Sequence, residues 1–126
     1  MNWYAASIII AFRTEQKGGS PILVHENVIL IEAPNDDEAM AKAKSAGENQ
    51  VQPGASETLR VANRPAHLEF IGVRKLITVS NPWPLSQDKD RPVDGTEVTY
   101  SSFELPDEDA LTRLSNGGDV TLRYIE

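Results

Sequence analysis

From Trp3 to Arg13 the chain is apolar at almost every position, interrupted only by Ser7 before the closing arginine. A strand with one wet face alternates apolar and polar side chains. Here Tyr4, Ala6, Ile8, Ile10 and Phe12 fall on one face and Trp3, Ala5, Ser7, Ile9 and Ala11 on the other. Such a strand belongs in the middle of a sheet that is covered on both sides. The run is far shorter than the roughly 20 residues a membrane helix needs. With no basic region before it and no small-residue cleavage pattern after it, it reads as a strand and not as a signal peptide.

Thr14 to Pro21, with Gly18 and Gly19, is a polar connection, and Ile22 to Ala33 is a second strand, so the pair forms a long antiparallel hairpin. The second strand also carries apolar groups on both faces, and the same reasoning gives it a central, covered position. A helix follows. Asn35 is its N-cap, with Glu38 placed for a capping-box pair, and Asp36 and Asp37 suit the positive helix start. Ala39, Met40, Ala43 and Ala46 form a narrow apolar stripe, small enough to lie close against a sheet, and Gly47 is the expected stop.

Glu48 to Ala66 is polar and broken by Pro53, Gly54 and Pro65, the pattern of a long loop. His67 to Ser80 returns to strand character, with Gly72 marking a bulge or kink, and Asn81-Pro82-Trp83-Pro84 stops it. Asp94-Gly95 is a turn, Thr96 to Leu105 a further strand, Asp107 to Leu114 a short capped helix with Ala110, Leu111 and Leu114 inward, and Val120 to Ile125 a last strand. The order β-β-α-β-β-α-β makes an α+β fold: a single, mostly antiparallel sheet of about five strands with helices packed on one face. At 126 residues, positions 1–126 fit one globular domain.

Twelve basic against nineteen acidic residues give a net charge of −7, and the imbalance is concentrated. Residues 88–126 carry ten acidic and four basic side chains, whereas residues 57–87 carry two and four. No Lys/Arg stripe follows any predicted helix, so nucleic acid is disfavoured as a partner. There is no cysteine, hence no thiol nucleophile, disulfide framework or thiolate metal site. Absence of an export signal makes the cytoplasm the expected compartment.

Catalytic motifs are missing: no G-x-S-x-G elbow, no phosphate loop, and no catalytic residue is assigned. His25 and His67 are the only imidazoles. Together with Glu26 and Glu69 they are the candidates for a ligand pocket. His67 and Glu69 share a strand face, but a lone H-x-E carries no metal-specific geometry, and no metal or cofactor is assigned. Glu26, an acid within an apolar strand, needs a partner, and Arg74 or Lys75 on another strand would supply one. Trp83, held between two prolines, fits an interface anchor, although it would equally cover the end of the core. Asp88, Asp90, Asp94, Asp107 and Glu108 supply acidic neighbours for a basic partner. The acidic loop lacks the ligand spacing of a calcium site.

Trp3-Tyr4-x-Ala6, Glu26-Asn27-Val28-Ile29-Leu30-Ile31-Glu32-Ala33 running into Asp37-Glu38-Ala39, Phe70-Ile71-Gly72-Val73-Arg74 and Asp94-Gly95-Thr96-Glu97-Val98 together resemble a bacterial domain-of-unknown-function family, number 4288. The resemblance spans residues 3–105. It implies an α+β sheet domain and transfers no activity and no site residue. The leading expectation is therefore a non-enzymatic, protein-binding module, in its sharper form an immunity-type antitoxin that covers a basic toxin domain such as a nuclease. The alternatives are a small-ligand binder or hydrolase-like enzyme built around Glu26 and His67, and a homodimer joined through an unpaired strand edge.

Overall fold

The computed structural model describes residues 1–14, 21–51, 60–61, 64–82 and 91–125. In chain order the elements are β1 (Asn2–Thr14), β2 (Leu23–Ala33), α1 (Asp36–Gln50), β3 (Arg60–Val61), β4 (Arg64–Val79), β5 (Phe103–Glu104), α2 (Glu108–Ser115) and β6 (Arg123–Tyr124). The strand with two apolar faces takes the centre. β1 lies antiparallel between β2 and β4, and β3 adds a two-residue ladder outside β4. The fold is α+β with antiparallel pairing throughout. Its strands divide between this sheet and a separate small β5–β6 ladder.

The β1–β2 hairpin runs from Asn2 opposite Ala33 to Phe12 opposite Leu23 in unbroken register. β2, however, is an edge strand and not a covered central one. Leu23, Val24, Val28 and Leu30 are 41% to 46% exposed. Composition alone could not separate the two strands, because both are apolar on both faces. What placed β1 inside was its choice as the common partner of β2 and β4.

One face of the sheet carries the main core. Tyr4, Ala6, Ile8 and Ile10 of β1 meet Ile31 and Ala33 of β2 and Ala39 and Ala43 of α1, with Leu68, Phe70, Val73 and Leu76 of β4 packed around them. Asn35 caps α1 as expected: its side-chain oxygen accepts from the Glu38 N–H at 2.9 Å. Gly47 does not end the helix, which continues to Gln50. Its glycine has another cause. A β-carbon at that position would stand 2.3 Å from Phe70 Cε1, so the helix lies on the sheet at a distance that only glycine allows.

β4 carries two bulges. Opposite β1, the register steps past Ile71 and again past Arg74, flanking the Gly72-Val73 pair. Strict alternation would send Phe70, Gly72, Arg74 and Leu76 to the same side and bury the arginine. The two extra residues instead bring Val73 opposite Ile8 and Leu76 opposite Ala6, on the core face, and leave Lys75 opposite Ser7 on the other.

Beyond β4 the expected strand over 96–105 is reduced to Phe103–Glu104, paired with Arg123–Tyr124. Its expected first residue, Thr96, is held in a turn instead. Its hydroxyl accepts from the Val93 N–H at 2.9 Å and donates to Asn81 Oδ1 at 2.6 Å, and its N–H donates to the Val93 carbonyl at 3.0 Å. Gly95 sits at φ +88°, as the third residue of that turn requires. α2 begins at Asp107, whose Oδ1 accepts from the Ala110 N–H at 2.8 Å. It closes with Gly117 at φ +78° and Gly118 N–H donating to the Arg113 carbonyl at 2.7 Å, a Schellman ending. Ala110 is buried, but Leu111 is 50% exposed and so does not face inward as expected.

Candidate functional site

Two ion pairs of the main sheet, Arg13–Glu69 and Arg74–Glu26, lie on the face away from α1. Bulging places Arg74 and Lys75 side by side there. Arg74 Nε donates to Glu26 Oε2 at 2.7 Å, across the central strand. The same guanidinium lies 4.9 Å from the centre of the Tyr124 ring, and Lys75 Nζ lies 5.3 Å from that of Tyr100 while also donating to the Tyr100 carbonyl oxygen. Phe103 and Tyr124 meet edge-to-face at 5.8 Å. Two adjacent cations thus fasten the chain's last segment to the sheet. A cleft of about 260 Å³ lined by Arg74, Lys75, Leu76, Ile77 and Tyr100 lies at the junction.

His25, Glu26, His67 and Glu69 do not converge on one pocket. His25 is opposite Ile10 on the α1 side, its ring 4.6 Å from Phe12 in an edge contact. Glu26 is opposite Ile9 on the other face and holds Arg74. His67 and Glu69 share that second face, opposite Arg13 and Ala11, and Glu69 Oε1 accepts from Arg13 Nε at 2.7 Å. Both carboxylates are thus committed to guanidinium groups. These partly exposed pairs contribute at most about 1 kcal/mol each. Among the described residues no group of three or more His, Asp or Glu side chains is placed to hold a metal ion.

The acidic candidates divide by position. Asp94 is exposed at the 93–96 turn, and Glu108 is exposed in the first turn of α2. Asp107, also exposed, has one oxygen engaged in capping α2. Trp83, Asp88 and Asp90 lie outside the described residues. Sequence reasoning missed Tyr100 and Tyr124 as partners of the two cations. The readable signal was an Arg-Lys pair inside an apolar strand, one residue removed from a glycine.

A three-stranded antiparallel sheet with one helix across it and a small capped-helix unit fastened by cation–aromatic contacts defines a small α+β domain. The chain belongs to the DUF4288 family, a domain of unknown function whose model matches residues 3–100. β5, α2 and β6 lie beyond the matched region. No curated protein and no solved structure matches the chain. No helix among the described residues is long and apolar enough to cross a membrane.

Proposed function

We propose that this chain is a non-enzymatic binding module of the bacterial cytoplasm whose partner is a basic protein domain, in its sharper form a toxin domain that it neutralises as an immunity-type antitoxin. One observation supports the reading above the others. The segment after β4 presents Asp94, Glu97, Glu104, Glu108, Asp109 and Asp119 as exposed side chains, and of these Glu104 has a cation partner in Arg123, at 3.3 Å. The same segment exposes Arg91, Arg113 and Arg123, so its excess is acidic, and a surface with an excess of one sign attracts a partner of the other and accelerates its capture, while salt weakens that attraction.

Affinity capture of the tagged protein from its own cells, at low and at high salt, tests the reading. The expected result is one stoichiometric basic partner that is lost at high salt. The double reversal Glu108→Lys with Asp109→Lys then slows association by about tenfold, with dissociation little changed. Recovery of the protein alone, or an association rate indifferent to salt, overturns the proposal.

A further inference from the structure

The two edges of the main sheet are built differently. β4 is bulged at Ile71 and Arg74, carries cations along its length, and is partly covered by β3. Bulges, charges and short covering strands are the devices by which sheets avoid pairing with other chains. Among the described residues β2 has no bulge, no covering strand and no cation, and its charges are the two carboxylates Glu26 and Glu32. It is 11 residues long, runs in unbroken register, contains no proline, lysine or arginine, and exposes Val24, Val28 and Leu30 on one face. Among the described residues no strand pairs with its outer edge.

We infer that the free edge of β2 pairs antiparallel with the β2 of a second copy, joining two sheets across a two-fold axis at Val28. The register follows from length and charge. Val28 is the midpoint of Leu23–Ala33, so the full-length antiparallel overlap sets it opposite itself. In that register Glu26 faces Leu30 of the second copy and Glu32 faces Val24, and no carboxylate meets another. Shifting the axis to Ile29 sets Glu26 against Glu32, and shifting it to Glu26 sets that carboxylate against itself. Like charges directly opposite are destabilising in a sheet. At one end Lys42 Nζ already donates to the Glu32 carbonyl at 2.6 Å, so His25 to Ile31 carries the ladder. This stretch spans about 23 Å, and the interface lies at the small end of specific ones, so association depends on concentration. Val28 and Leu30 of the two copies form one apolar strip across the axis. The inference does not depend on a basic partner, and either can fail without the other.

The protein has no cysteine, which makes single-cysteine variants clean probes. Residues directly opposite in an antiparallel pair have α-carbons about 4.5–5.5 Å apart, within disulfide reach. Val28→Cys is expected to give a disulfide-linked dimer on mild oxidation. Leu30→Cys is not, because its two copies would lie about 13 Å apart. In sedimentation from about 1 to 500 µM, the wild type is expected to rise toward the mass of two chains. Val28→Lys, at a side chain 41% exposed, is expected to stay monomeric with unchanged circular dichroism and melting temperature. A mixture of Val28→Lys and Val28→Glu restores the dimer. The inference is overturned by a wild type that is monomeric throughout. A dimer that persists in Val28→Lys, or equal cross-linking at both cysteines, overturns it as well.

Discussion

A β-carbon on Gly47 would meet the Phe70 ring well inside van der Waals contact, yet the residue sits in the interior of a 15-residue helix. Glycine costs such a helix about 1 kcal/mol relative to alanine. The cost is accepted because Ala39, Ala43 and Gly47 let α1 lie directly on the sheet. Gly47→Ala is therefore expected to destabilise the protein, by about 1–3 kcal/mol through overpacking, despite its better helix propensity. Urea unfolding reads the loss, and Gly47→Ala combined with Phe70→Leu should recover part of it. An alanine variant more stable than the wild type would show that the ring moves aside at no cost. Gly47 was legible as a special position but for the wrong reason. A glycine after an apolar stripe reads as a stop, and the ring that explains it arrives from a residue 23 positions later.

At the scale of the element, β4 is where local pattern and final structure part most clearly. Its strand character was plain, and Gly72 marked an irregularity. That the irregularity is a pair of bulges around Gly72-Val73 follows only from pairing with β1, whose unbroken apolar row demands Val73 and Leu76 at fixed places. This makes single-residue deletions informative. Removing Ile71 takes out an extra residue and leaves the register on both sides intact. The variant is expected to unfold cooperatively, within about 2 kcal/mol of the wild type. Removing Val73 leaves Arg74 to face the core opposite Ile8, with a loss of about 3 kcal/mol or more. Equal losses in the two deletions would mean that the bulges do not set the register. The hairpin and the start of α1 were legible, because two apolar runs around a glycine-bearing connection, a capping asparagine and an alanine stripe are local signals; the end of α1 was not. The strand expected over 96–105 was not: its alternation was readable, but only Phe103 and Glu104 find a pairing partner, and Thr96 is bound to Val93 and Asn81 in a turn.

For the molecule as a whole, Arg74 is the joint. It pairs with Glu26 on β2 and lies over Tyr124 on β6, so one side chain of β4 links the two strands that flank β1 to the segment beyond the family's matched region. Cation–aromatic contacts at partly exposed sites are worth about 0.5–1 kcal/mol, and an exposed ion pair no more than that. Arg74→Ala is thus expected to loosen residues 101–125 while sparing β1 and β2. Amide hydrogen exchange should show protection in β5 and β6 falling by about tenfold, the equivalent of 1.4 kcal/mol, with the hairpin unchanged. Loss of protection across the whole sheet would instead make Arg74 a support of the main core.

By itself the sequence determined the class of fold, the hairpin, the N-caps of both helices, the acidic final third, and the membership that residues 3–100 carry. These rest on interactions between neighbours in the chain or on sums over it, so they are written in order along it. Tertiary structure decided which apolar strand is buried and which is the edge, which carboxylate meets which guanidinium, and why a glycine stands inside a helix. It also separated His25 from Glu26, His67 and Glu69, because adjacent residues of one strand point to opposite faces of the sheet. Those outcomes depend on partners brought together from distant positions, and a pattern read along one strand does not contain its neighbour.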